Sequence, residues 1–267
     1  MKILVPIDFS ENSKKALEFA VSLAKRKNGS ITILHVIEAI YDFAAQAAIV
    51  IEGMHKDAES YLDELVTHYK KEDVQVQGMI KDGTVSIMTS KTAEEINADL
   101  IVIGTQGLTG IKRTLLGSTS IDVIKASECP VLLIPADAKV KNIEKMTLAL
   151  EFSDHEEPFL ERVIKISKSW ELKIDFLHIE IRHNFKEELT VLGLEAYVQN
   201  KYPELDSKLE TLKSENLIDG LDKYLGRNKN VILVMCHNQK NIWDQILSKS
   251  KTIQMAYHTH VPLLIMN

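Results

Sequence analysis

The chain has 267 residues, 45% of them hydrophobic and 26% charged, with a formal net charge of −6. This is ordinary globular composition at a length that holds one large domain or two ordinary ones, and the acidic balance argues against a nucleic acid or an anionic membrane as the main partner. No apolar run reaches the roughly 18 residues of a membrane span, and Met1 to Asp8 reaches an acidic residue within one short strand instead of forming a leader, so the expected compartment is the cytoplasm, with Cys129 and Cys236 as buried free thiols.

Lys2 to Ile7 is a continuous apolar run with β-branched residues, the pattern of a strand buried on both faces. Asp8 to Ser13 is polar and supplies capping residues. A helix follows, because Ala16, Leu17, Ala20, Val21, Leu23 and Ala24 share one helical face and Asn28-Gly29 gives a stop. Ser30 to Glu38 reads as the second strand. A helical pattern from about Ala44 to Lys71, interrupted only by Gly53, leads to a third strand over Val74 to Lys81, a turn at Asp82-Gly83 and a helix over Val85 to Asn97. Asp99 to Ile103 is a fourth strand. A glycine-rich loop, a helix from Ser118 to about Ser127 and a fifth strand at Val131 to Ile134 complete the series.

Strict alternation of strand and helix implies an α/β fold: a doubly wound parallel sheet of five strands, with helices on both faces and right-handed crossovers. Ligands of such sheets sit outside the carboxyl ends of the strands, where the strand order reverses. Asp8, Val36 and the loop that begins at Gly104 all lie at carboxyl ends.

In that loop Gly104, two residues, Gly107, nine residues, Gly117 and then Ser118 put side-chain-free backbone at both lips, where amide groups can approach a polyphosphate. Ser118, Thr119 and Ser120 open a helix whose unpaired N–H groups favour an anion. The bland reading of the same residues is a glycine-rich surface turn that binds nothing.

With Ile3-Leu-Val-Pro-Ile-Asp-Phe-Ser10, the His35-Val36 strand end and Cys129-Pro-Val-Leu-Leu-Ile-Pro135, this spacing resembles the universal stress protein family, over essentially the whole first half. The resemblance implies a Rossmann-like α/β/α sandwich of the adenine nucleotide alpha-hydrolase-like type, and ATP as ligand, with Mg as an optional companion. It implies that Pro6 and Ile7 border base and sugar, that Asp8 accepts from ribose hydroxyls, and that Val36 offers its backbone to the adenine edge. Gly104, Gly107, Gly117, Ser118, Thr119 and Ser120 would form the cradle, with Gln106 inside the loop. Lys112 and Arg113 read more simply as solvated loop cations. The turn Lys81-Asp-Gly-Thr84 departs from the glycine-x-proline turn common in the family.

The chain repeats itself. Adding 143 carries Ile7-Asp8-Phe9-Ser10 onto Leu150-Glu151-Phe152-Ser153 and Leu34-His35-Val36 onto Leu177-His178-Ile179; adding 132 carries Leu100-Ile101-Val102 onto Ile232-Leu233-Val234 and Cys129 to Ile134 onto Val261 to Met266. The difference, 143 − 132 = 11 residues, is expected in the long helix of the second copy. Two domains follow, 1–138 and 144–267. The second offset carries Gly104 to Cys236, Gly107 to Gln239, Gly117 to Lys249 and Ser118 to Ser250, so the second domain is a degenerate copy without the cradle.

His35 and His178 correspond and read as partly buried strand histidines. Cys236-His237 with His258 and His260 suggests zinc, but the repeat sets those two histidines about nine residues, or roughly 13 Å, from the start of the helix after the loop, so no metal site is expected. The function expected is nucleotide-dependent change of conformation or assembly in a stress response. The alternatives are a slow ATP hydrolase or a non-nucleotide protein-interaction module. The loop lacks the Gly-Lys-[Ser/Thr] ending of P-loop hydrolases and no nucleophile–base pair stands near it, so no catalytic residue is assigned. The two halves are expected to pair through their fifth strands, with a homodimer as a further possibility.

Overall fold

The computed structural model describes residues 1–38, 44–105, 118–140, 142–152, 157–236 and 261–266. They divide into two units, Met1–Ala136 and Asp137–Met266.

Unit 1 runs β1 (Lys2–Pro6), α1 (Glu11–Lys27), β2 (Ser30–Ile37), α2 (Ala44–Lys70), β3 (Gln75–Asp82), α3 (Val85–Glu95), β4 (Leu100–Gly104), α4 (Ser118–Ala126) and β5 (Val131–Ile134). Its strands lie in the order β3-β2-β1-β4-β5 and pair in parallel. The central strands are almost wholly inaccessible: Ile3, Leu4 and Val5, Ile33 and Leu34, and Ile101 and Val102 are fully buried. That is why their apolar runs do not alternate with polar residues. α1 lays Ala16, Leu17, Ala20 and Ala24 onto the sheet. Ser10 caps its start by accepting from Ser13 N–H at 3.1 Å. Asn28, left-handed at φ 47°, ends it after a last turn carrying Lys25, Arg26 and Lys27.

Unit 2 runs β6 (Lys145–Leu150), α5 (Glu157–Trp170), β7 (Lys173–Glu180), α6 (Phe185–Lys201), β8 (Leu209–Lys213), α7 (Leu217–Arg227), β9 (Val231–Cys236) and β10 (Leu263–Met266). Its parallel order is β10-β9-β6-β7-β8. Both units are thus α/β with a doubly wound sheet, as the alternation of elements implies, and the order reverses between β1 and β4 and between β6 and β9. α6 has 17 residues where α2 has 27, so ten of the eleven missing residues lie in that helix. α6 buries only Val198. It is tied to α5 by polar contacts, Lys201 Nζ to Glu161 at 2.5 Å and Tyr197 OH to Glu157 at 2.9 Å.

The interiors treat polarity differently. In unit 2 Thr147 Oγ1 and Tyr224 OH meet at 2.9 Å. In unit 1 the position matching Tyr224 is Thr92, which is fully buried, as is Thr89, and neither hydroxyl finds a hydrogen-bond partner among the described residues. The cysteines form no disulfide and are half-buried, not fully enclosed as expected. Cys129 Sγ donates to Ala98 O at 3.3 Å, because it sits in the loop before β5 and not within the strand.

Candidate functional site at the carboxyl rim of unit 1

The site begins where β1 stops. Ile7 N–H still donates to Leu34 O at 2.8 Å, and then the chain leaves the sheet through Phe9, which is left-handed at φ 62°. His35 Nδ1 lies 2.8 Å from Ile7 O. A carbonyl only accepts, so Nδ1 carries the proton. The Phe9 ring packs on that imidazole at 4.6 Å between centroids and on Tyr61 at 5.2 Å. Unit 2 builds the same turn: Phe152 at φ 58°, its ring 4.5 Å from His178, and His178 Nδ1 3.1 Å from Leu150 O. Contrary to the partly buried reading, His178 is 6% exposed, whereas His35 is half-buried.

Pro6 and Ile7 are buried at the end of β1, and Asp8 follows, half-buried, with Oδ1 accepting from Ser10 N–H at 3.1 Å. Asp8 therefore stands at the foot of α1, beside the cap. Val36 lies one strand away in β2. Leu34 O points toward β1, where it meets Ile7, and Ile37 O points toward β3, where it meets Gly83 N–H at 3.0 Å. Alternation along the strand turns the N–H and C=O of Val36 to the β1 side, at a level the β1 ladder does not reach, since its last pair is Pro6 with Leu34.

Gly104 closes β4. A Cβ there would lie 2.6 Å from Asn12 Nδ2 and 2.9 Å from Asn12 O, so this glycine is required by the approach of α1 to β4. Ser120, buried in the first turn of α4, donates its hydroxyl to Gly104 O at 3.1 Å. Thr119 is exposed and Ser118 heads the helix. Pro6, Ile7, Asp8, Val36, Gly104 and Ser120 thus sit at the carboxyl ends of neighbouring strands or tied to them. Gln106, Gly107 and Gly117 lie outside the described residues, as do Lys112, Arg113, His237, His258 and His260.

The sequence reading assigned no place at the rim to Asn12 or to the contact between Phe9 and His35. Asn12 acts through a tertiary contact that no local pattern announces. Phe9 and His35 recur at one offset as Phe152 and His178, and that recurrence was the available signal. The rim carries further carboxylates already engaged: Glu38 accepts from Val85 N–H at 3.1 Å at the start of α3, and Asp82 meets His55 Nε2 at 2.9 Å. Among the described residues no three His, Cys, Asp or Glu side chains come together as a metal centre, and no described helix is long and apolar enough to cross a membrane.

Known proteins resemble this chain in the same terms. The family model described as "Universal stress protein family" matches residues 1–135. The universal stress protein YxiE of Bacillus subtilis is 34% identical over 149 residues, covering 50% of this chain and 97% of that protein. A Staphylococcus aureus relative is 32% identical over 155 residues, covering 51% of this chain and 87% of its own. The crystal structure of a universal stress protein from Archaeoglobus fulgidus superposes with a TM-score of 0.79 at 20% identity, covering 99% of this chain and 97% of the other, which is a likeness of fold across both units. The buried parallel sheet, the rim at the end of β1 and the match over residues 1–135 lead to one conclusion: this chain belongs to the universal stress protein family.

Proposed function

We propose that the protein binds ATP at the carboxyl rim of unit 1 and changes conformation or assembly with nucleotide occupancy during a stress response. The observation that carries this reading is the Val36 backbone, turned toward the end of β1 beyond the last pair of the β1–β2 ladder. An adenine edge offers a donor and an acceptor side by side, which an amide and a carbonyl on one side of a strand complement. Asp8 would accept from the ribose hydroxyls, Pro6 and Ile7 would border base and sugar, and Gly104, Gln106, Gly107, Gly117, Ser118, Thr119 and Ser120 would surround the phosphates, with or without Mg. Domain 1–138 is then the nucleotide half, and 144–267 the degenerate half.

Equilibrium binding of labelled ATP to the intact chain and to Gly117→Leu tests the proposal. Saturable binding that the substitution abolishes supports it; no binding by the intact chain overturns it. Turnover of about one per second or faster would instead favour a hydrolase.

A second reading, in which the degenerate half serves a protein partner, is favoured by α6, whose outward side exposes Phe185, Leu189 and Leu192 at helical spacing. We also propose that the halves pair through β5 and β10, since an apolar edge strand left open is an aggregation hazard, and that tandems associate into a dimer in the cytoplasm, where both cysteines stay reduced. A solution mass of one chain at micromolar concentration would exclude the dimer.

A further inference from the structure

The two units serve as controls for each other at the place where their strand order reverses. In unit 2 the ladder between β6 and β9 runs to the pair Leu148 with Val234. By the repeat offsets the matching pair in unit 1 would be Val5 with Val102, but the β1–β4 ladder ends one step sooner, at Leu4 with Ile101. The step that is missing runs, in a parallel ladder, through the N–H of the next residue on the first strand to the carbonyl of the second. In unit 2 that next residue is Ala149. In unit 1 it is Pro6, which has no N–H to give.

The other side of the strand tells the same story. β6 continues to the pair Leu150 with His178, whereas β1 stops at Pro6 with Leu34, one position earlier by the offset of 143. The histidine contact to the strand-end carbonyl is present in both units, so it does not account for the difference. Proline does. It gives β4 no N–H, and its ring holds φ near −65°, away from the −120° or so of a parallel strand, so that the bond from Ile7 N–H to Leu34 O is the last one β1 makes to β2. The consequence in unit 1 is a backbone carbonyl at Val102 that lacks its ladder donor, and a Val36 amide that lies beyond the last pair. Both face the end of β1, Val102 from β4 and Val36 from β2.

We propose that Pro6 is a positioning residue that keeps the switch point of unit 1 unzipped for the base and sugar of a nucleotide, and that Ala149 zips the corresponding place shut in unit 2. This deepens the ATP reading and rests on it. The Pro6/Ala149 difference sets the two halves apart at the base and sugar end of the proposed ligand, as the lost glycines do at the phosphate end.

The test uses the full chain, unaltered and with Pro6→Ala, in two measurements: amide hydrogen exchange without nucleotide, and equilibrium binding of ATP. The new amide at position 6 should be strongly protected, as a ladder bond to Val102 requires, and ATP should bind at least tenfold more weakly while the melting temperature stays equal or rises. A protected amide with unchanged ATP affinity overturns the proposal, and so does an unprotected one. If the unaltered chain fails to bind ATP, the nucleotide reading falls and the proposal with it, an outcome distinct from equal binding by both chains. Pro6→Val supplies the same N–H and guards against a fault peculiar to alanine; Ala149→Pro should strip exchange protection from the rim of unit 2 without conferring ATP binding, because the glycines are absent there.

Discussion

Gly104 and Asn12 are in direct backbone apposition: a methyl group on Gly104 would meet Asn12 O at 2.9 Å and Asn12 C at 3.1 Å. The first glycine of the loop is thus fixed by the packing of α1 on β4. Because backbone atoms on both sides resist displacement, Gly104→Ala is expected to destabilise unit 1 by about 1–3 kcal/mol, measured as a shift in the urea midpoint with unchanged slope. A neutral effect would show that α1 yields easily and that the glycine serves the loop alone.

Thr92 and Tyr224 occupy matching positions with opposite polar fates. Thr92 Oγ1 is buried without a hydrogen bond among the described residues, so Thr92→Val, nearly the same shape, should stabilise unit 1 by about 1 kcal/mol. Tyr224→Phe should do the reverse in unit 2, costing about 1–2 kcal/mol by leaving the buried Thr147 hydroxyl unpaired. Thermal unfolding of the two variants, compared with the parent, reads both signs.

Asn28 ends α1 in the left-handed region at φ 47°. Asn28→Gly should be tolerated or slightly stabilising, and Asn28→Ala should cost about 1 kcal/mol, since an ordinary Cβ is disfavoured at positive φ. Equal stability of the two variants would mean that the turn relaxes when asparagine is removed.

Acid should act first on unit 2. Hydrogen bonds from Lys201, His183, Lys168 and Lys173 hold Glu161, Glu180, Glu204 and Asp206 below their ordinary values, whereas in unit 1 Glu72 is held down by Lys25. A carboxylate whose folded pKa is depressed contributes stability above its unfolded pKa and loses it as pH falls through the folded value. The loss therefore begins near pH 4.5, the ordinary glutamate value, and deepens below it. These groups are solvent-facing, so added salt at about 0.5 M should flatten the dependence. Both tryptophans, Trp170 and Trp243, lie in the second half, and their fluorescence follows its unfolding directly. An acid transition insensitive to salt would assign it to buried groups instead.

The architecture was legible in the sequence because strands buried on both faces must be apolar throughout, and because the second copy repeats the first at fixed offsets. The placement of the eleven missing residues followed the same way, ten of them in α6. Less legible was why individual rim residues are what they are. Gly104 reads as a ligand residue, yet its neighbour is Asn12. Ser120 reads as an anion cap, yet its proton goes to Gly104 O. Both contacts are tertiary and leave no local pattern. The strand reading of Lys2 to Ile7 ran one residue past the observed end because apolarity marks burial and not pairing: Ile7 is buried and still donates to Leu34 O, yet the last paired residue is Pro6.

The left-handed phenylalanine turn with its histidine clasp occurs in both halves, although only one has the glycines and the proline. A fold that is completed twice, once with those features and once without them, does not need them in order to form, save for Gly104, which the packing on Asn12 holds in place in unit 1. Mutational change at the other positions of the mouth of unit 1 is in that sense decoupled from the making of the domain, so the proposed recognition of a nucleotide could drift, sharpen or vanish while the protein still reaches its native state.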